Sequence, residues 1–362
     1  MNNAEPSHSE LRAAFIEKAG WGDAAAKPLA GDASTRSYER LEKDGRRAVL
    51  MIAPPRAEAD ACPVDAAPEQ RRALGYNAMA RLAGPNLNAF VTLSHSLKLA
   101  GLSAPEIYAA DAATGFALIE DLGDDLYAGI VDREDETLLY RSAIDALILL
   151  RNANPPQPRD DNYTMLNYDL TALAAEADLL IDWYWPLKHR NDISHELRAE
   201  FVALWRGQLG KLSAPHSFVL RDYHAENLIW LPDRHGVERV GIIDFQDALY
   251  GCAAYDLASL LEDARRDVDP AFSDQMIEYY VQRATEVGGF DRAAFERDYA
   301  ILAAQRNAKI LGVFARLAKR DKKPRYLDLL PRVEGHFRRD LKRPDMAPLR
   351  DFFARNFDEF SQ

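Results

Sequence analysis

Strand-like and helix-like hydrophobic periods divide this 362-residue chain unevenly, and that division limits its fold more than any other feature. Strand-like runs occur in two places only. One is the first 122 residues, where 37–41 and 48–52 flank an Asp44-Gly45 turn, and 106–111 and 116–120 flank Thr114-Gly115. The other is a short island with apolar runs at 217–220, 228–230 and 237–243 around a turn at 233–236. Amphipathic helical stretches cover 11–19 and 89–100 beside the first group, then 134–151, 168–185, 193–211, 273–288, 291–318 and 325–342. Ten of the sixteen residues from Ala53 to Pro68 are Ala or Pro, which reads as a loop or insertion. No repeat is evident, so a solenoid is excluded. The pattern predicts a small antiparallel-sheet lobe, 1–122, and a larger helical lobe, 123–362, with the cleft near residues 121–125.

The island carries the chemistry. It reads Leu220-Arg221-Asp222-Tyr223-His224-Ala225-Glu226-Asn227-Leu228 and continues to Gly241-Ile242-Ile243-Asp244-Phe245. Asp222 follows one apolar run, Asn227 starts the next, and Asp244 ends a third, so three oxygen-bearing side chains leave strand ends close together. Phosphoryl transfer needs such a set: one carboxylate for the acceptor proton, and an Asn with a second Asp for Mg²⁺ on the phosphates. A lone D-x-x-x-x-N also suits an ordinary turn. The conjunction with the flanking runs and Ile-Asp-Phe is what separates the two readings.

Lys+Arg number 45 and Asp+Glu 57, a net charge of −12, which argues against a general nucleic-acid partner. Residues 319–343 are nevertheless net +6, leaving −18 on the remainder. Cys62 and Cys252 are the only cysteines, so a disulfide framework is excluded. Neither a signal-like segment nor an apolar run of membrane-spanning length is visible, and a cytoplasmic protein without membrane contact is expected. Oligomeric state is not legible.

Asp222-x-His224-x-x-Asn227 with Ile243-Asp244-Phe245 resembles the catalytic loop and metal motif of the aminoglycoside phosphotransferase-like (choline kinase-like) family. The resemblance implies a bilobal α+β, protein-kinase-like fold. Gly31-Asp32-Ala33-Ser34-Thr35-Arg36, the segment 100–106, the run 116–123 and the stretch from 304 to 327 are similar to one branch. That branch is the anomeric N-acetylmuramate/N-acetylglucosamine kinases of bacterial cell-wall recycling. It implies ATP and Mg²⁺ as cofactors, Asp222 as catalytic base, and Asn227 and Asp244 as metal ligands. It implies nucleotide contacts from Ser34, Thr35, Arg36, Glu120, Asp121 and Leu122, and an amino sugar as acceptor. Arg221, His224 and Asp256 are expected as support for the loop, Asp256 through backbone N–H groups or as a helix cap.

The sequence departs from the family where a strand-3 Lys is usual. Met51 occupies that place, and no acid follows between Asn86 and Leu102. Arg36 is the expected substitute. Asp247, Arg306 and Arg316 are the expected acceptor contacts, Asp247 being otherwise a turn residue. The cationic region of Arg306, Lys309, Arg316 and the basic window either faces the cleft in part or is a solvated helix face balancing acids elsewhere. Trp183, Tyr184 and Trp185 offer either sugar stacking or packing. Three rivals remain. An aminoglycoside or other small-molecule hydroxyl kinase would use Glu262, Asp263, Asp267 and Asp269. A nucleotide-binding pseudokinase would not turn over. A metallohydrolase would be built on Asp222, His224, Asp244 and Asp247.

Overall fold

The computed structural model describes residues 6–29, 36–54, 62–153 and 163–361. Helix α1 (His8–Lys18) opens on a reciprocal cap, in which Ser7 accepts the Glu10 N–H and the Glu10 carboxylate accepts the Ser7 N–H at 2.7 Å. There follow β1 (Ala25–Pro28), β2 (Ser37–Lys43), β3 (Arg46–Ile52), α2 (Pro68–Leu74), α3 (Tyr76–Ala80), α4 (Leu87–Leu99), β4 (Ile107–Asp111) and β5 (Phe116–Glu120). The five strands form one antiparallel sheet in the order β1-β2-β3-β5-β4. Asp44 and Gly45 turn β2 into β3 with φ of 51° and 72°, the left-handed pair that a two-residue hairpin needs to match strand twist. β3 is buried on both faces. Val49 and Met51 join the main core with Phe90 and Leu97 of α4, while Ala48, Leu50 and Ile52 pack with Ile16 and Trp21.

The helical part contains α5 (Tyr127–Ile130), α6 (Glu136–Ala153), α7 (Leu170–Leu179), α8 (Trp185–His189) and α9 (His195–Leu209). After the island come α10 (Ala254–Leu261), α11 (Pro270–Val287), α12 (Arg292–Lys319), α13 (Leu330–Leu341) and α14 (Ala347–Asn356). The 28-residue α12 is the central post, packed by α7, α10 and α13. Gly312 permits its close crossing with the end of α7. A Cβ there would lie 2.3 Å from the Leu179 carbonyl carbon. The chain leaves that crossing as a π-helical turn, Leu180–Tyr184, so the expected helix over 168–185 is interrupted. A 3₁₀ turn, Pro324–Leu329, likewise precedes α13 within the expected 325–342 helix.

The island differs from its sequence reading. Its strands β6 (Ser217–Val219), β7 (Leu228–Trp230), β8 (Val240–Ile242) and β9 (Leu249–Gly251) form two separate ribbons, β6 with β9 and β7 with β8. β9 has only three residues and no alternation to betray it. The exposed edge strand β1 escaped notice because Ala25-Ala26-Lys27-Pro28 buries nothing.

α2 and α3 lie before residue 122 in sequence but pack on the helical part. The fully buried Arg71 donates to Ala78 O at 3.1 Å and Met79 O at 2.5 Å, and pairs with Asp169, the α7 cap, at 2.7 Å. On the other side of the cleft, Ile242 N–H donates to Ser103 O at 2.9 Å and Trp230 N–H to Asp125 O at 2.8 Å. These bonds tie the sheet to the island.

Candidate active site

The loop that carries Asp222 is held by its backbone. Asp256, buried in α10, accepts the N–H groups of Leu220 and Arg221 at 2.7 and 2.9 Å, and Ser259 Oγ donates to Arg221 O at 3.2 Å. Arg221 has φ of 71°, a conformation that disfavours any residue with a Cβ. Its guanidinium is pinned in compensation. It is 2% exposed, forms an ion pair with the fully buried Glu176, donates to Ala80 O at 3.3 Å and lies over the Tyr168 ring at 5.2 Å. Glu176 also holds Lys309 Nζ at 3.1 Å, Gln305 Nε2 at 3.2 Å and the Tyr168 hydroxyl. One carboxylate thus gathers two cations behind Asp222.

Asn227 Nδ2 donates to the Asp222 carbonyl at 2.9 Å, which closes the loop and leaves the amide oxygen as the atom turned away from it. Ile243 N–H donates to Asn227 O at 3.1 Å, so the Asp244 strand end is stitched to the same loop. Asp244 is itself left-handed, φ 58°, and its Oδ1 accepts Gln246 Nε2 at 2.9 Å. Phe245 stacks on Phe90 of α4 at 4.8 Å, anchoring this turn to the first lobe. Arg36 reaches Asp244 Oδ1 at 3.6 Å and donates to Gly84 O at 3.5 Å.

Burial works against a charged Asp222. The positive groups of Lys309, Arg221 and Arg306 outweigh it and hold the carboxyl below its ordinary range. Asp244 moves the other way, raised by burial and then by the Asp222 charge. Burial also pushes His224 down to about 4. The ring is therefore neutral near pH 7, with Nε2 3.2 Å from Arg265 Nη1 and 3.4 Å from Asn227 Nδ2. Hard oxygen donors at Asn227 and Asp244, beside two carboxylates that repel one another, fit a divalent cation such as Mg²⁺.

The remaining expected residues are scattered by the fold. Ser34 and Thr35 lie outside the described residues. Leu122 is buried. Glu120 pairs with Arg234, and Asp121, 3% exposed, pairs with Arg40 at 2.8 Å. Both carboxylates are therefore engaged by arginines within the protein. Asp247 Oδ1 accepts the Ala83 N–H at 2.7 Å. Arg306 is 4% exposed and donates to Glu262 O at 3.0 Å, so it acts on Asp222 through its charge from within the core, and the expectation of a cleft contact is corrected. Arg316 lies over the Tyr76 ring at 5.0 Å.

Three arginines of the basic window are taken up by acids, of which Glu262 and Asp340 are buried and Asp267 is exposed. Arg332 pairs with Asp267 at 2.5 Å, Arg339 with Glu262 at 3.7 Å and Arg343 with Asp340 at 3.9 Å. Tyr184 and Trp185 are buried against Phe357, which makes them packing and not a sugar platform. Sequence reasoning missed Glu176 and Tyr76. Both look like ordinary helix residues until the tertiary structure places them.

With this geometry in view, the match to known proteins is direct. The model of the phosphotransferase enzyme family matches residues 25–296, a span holding both halves of the site. The chain belongs to this family. It is 44% identical over 351 residues to the N-acetylmuramate/N-acetylglucosamine kinase of Caulobacter vibrioides, covering 95% of each chain. It is 30% identical to the protein of that name from Pseudomonas putida, over 92% of this chain and 90% of the other. The fold recurs at low identity. A choline kinase from Streptococcus pneumoniae has a TM-score of 0.57 at 12% identity, covering 91% of this chain and 99% of its own. A microcompartment-associated aminopropanol kinase scores 0.58 at 11%, with 90% and 94% covered. The family member described by these residues is a small-molecule kinase with a hydroxyl acceptor and ATP as donor. No described helix is long and apolar enough to cross a membrane.

Proposed function

We propose that the chain phosphorylates the anomeric C1 hydroxyl of N-acetylmuramate and N-acetylglucosamine, using ATP and Mg²⁺, in the cytoplasmic salvage of cell-wall sugars. The observation that carries the reading is the Asp222–Asn227–Asp244 constellation within a chain 44% identical to a kinase named for both sugars. Asp222, kept ionised by the cations behind it, accepts the hydroxyl proton as the oxygen attacks the γ-phosphorus. A hemiacetal hydroxyl is more acidic than an ordinary alcohol, so a weak base suffices. Asn227 and Asp244 would hold Mg²⁺, which when bound neutralises phosphate charge and fixes the β/γ oxygens. Arg36, beside Asp244, supplies the cation that Met51 cannot.

The aminoglycoside reading is weaker because its acids are already engaged. Glu262 and Asp263 are buried, Asp267 pairs with Arg332, and Asp269 caps α11. The test is product analysis with each sugar and with kanamycin. A C1 phosphate abolishes the reducing end, whereas a product that keeps it refutes the anomeric assignment. ATP binding without ADP release from any of the three acceptors favours a pseudokinase.

A further inference from the structure

Residues 68–86 form a wall that the family motifs do not describe. Arg71 locks α2 and α3 onto the start of α7, and Ala80 O accepts from Arg221 of the catalytic loop. Ala83 N–H is bonded to Asp247, and Gly84 O to Arg36. The segment therefore touches the loop before Asp222, the turn after Asp244 and the residue following Thr35. Tyr76 stands at the head of α3, and the Arg316 guanidinium of α12 covers its ring at 5.0 Å.

Arg316 is unusual among the arginines near this end of α12. Arg320, one turn further on, pairs with Asp321 at 2.6 Å. Arg316 has no carboxylate within ion-pair distance among the described residues, and its buried Nε has no hydrogen-bond partner there. Burial pulls its pKa down, and Tyr76 in the same niche is pushed up to about 12 by burial and by the charge of Glu176. The acid that acts on it, Asp321, does so from beyond ion-pair distance and is itself held by Arg320. A partly desolvated cation so weakly balanced is costly unless a ligand supplies a counter-charge.

The position suits an acceptor substituent. Arg316 lies seven residues beyond Lys309, on the same helical face and about 10 Å along the axis. Lys309 is the cation that most strongly holds Asp222 ionised. A guanidinium stacked on an aromatic ring keeps its edge donors free for a two-point contact with a carboxylate.

We propose that Tyr76 and Arg316 form a carboxylate subsite on the acceptor side of the cleft, which takes the lactyl carboxylate of N-acetylmuramate. The proposal rests on the function given above and adds to it the residues that distinguish the anionic sugar from the neutral one. Among the described contacts neither residue is bonded to Asp222, Asn227 or Asp244.

The experiment compares kcat/KM for the two sugars in wild type, Arg316→Ala, Arg316→Lys and Tyr76→Leu. Arg316→Ala should shift the ratio about 10- to 100-fold toward N-acetylglucosamine, through KM for N-acetylmuramate. Arg316→Lys, which keeps charge but loses the fork, should fall between. Tyr76→Leu should shift the ratio in the same direction by a smaller factor. Retained N-acetylglucosamine turnover reports that each variant is folded. An unchanged ratio, or an equal rise in KM for ATP with both sugars, overturns the subsite. Wild type inactive on both sugars would instead overturn the functional reading, and the subsite with it.

Discussion

Glu176→Gln removes a single negative charge from between two cations and keeps the side-chain volume. In the native protein Glu176 is wholly buried, with Arg221 2% and Lys309 14% exposed. Burial disfavours its charge, yet Arg221 and Lys309 hold its pKa below the ordinary value, so the carboxylate is ionised. The amide oxygen can still accept from both cations but offers no compensating charge, and its NH2 would face the Tyr168 hydroxyl and Gln305 Nε2, which are donors there. Arg221, whose own charge is held in the core by Glu176, is then stranded. Breaking a buried pair from one side costs about 3–5 kcal/mol. With a urea m-value of about 3 kcal/mol/M, the unfolding midpoint should fall by about 1–1.7 M.

The backbone at Arg221 is left-handed and held by the same side chain, so Asp222 should lose alignment as well. A drop in kcat of about 10- to 100-fold is expected, with KM for ATP little changed. Two assays suffice, urea unfolding by fluorescence and steady-state ADP release. The double variant Glu176→Leu with Arg221→Met should recover much of the stability but not the rate. It replaces the pair by apolar groups, and Lys309, partly exposed, can still reach water. A loss below about 1 kcal/mol for Glu176→Gln would refute the claim that this carboxylate governs the loop.

Arg36→Ala should raise KM for ATP several-fold more than KM for sugar. Equal changes, measured in the same kinetic series, would show that the Asp244 contact at 3.6 Å does not serve the nucleotide. Asp178→Asn should stabilise the protein at neutral pH. Burial, with the nearby Asp182 charge, raises Asp178 to about 6 in the folded state from 3.8. The folded form thus binds more protons between those values, and stability falls as pH rises through that window. The gain should be about 1–3 kcal/mol at pH 7.5 and close to nothing at pH 3.5, read from urea midpoints at the two pH values.

Much of the fold was legible because its elements are long or strictly alternating. β2 and β3 with their Asp44-Gly45 turn, β4 and β5, and the helices α6, α9, α11 and α12 fall close to their expected places. The failures share a cause. β1, β9, α2 and α3 are short elements whose apolar content is too low or too uniform to show a period, and contact with distant residues stabilises them. The site divides along similar lines. Asp222, Asn227 and Asp244 stand out because strand ends and chemical type coincide. Asp121 and Arg306 lie in the expected regions, yet each is claimed by a nearer partner, Arg40 and the Glu262 carbonyl.

The sequence by itself determined the two-part architecture and the three side chains proposed for phosphoryl transfer. Both are encoded locally, in hydrophobic period and in the spacing of oxygen-bearing residues along neighbouring strand ends. The tertiary structure alone decided where the positive charge goes. In the window from 319 to 343, Arg339 and Arg343 lean on the buried acids Glu262 and Asp340, while Lys309, Arg221 and Arg306 stand behind Asp222 and Arg316 has no carboxylate within ion-pair distance among the described residues. Charge acts through space with a strength set by distance and burial. A one-dimensional count supplies neither.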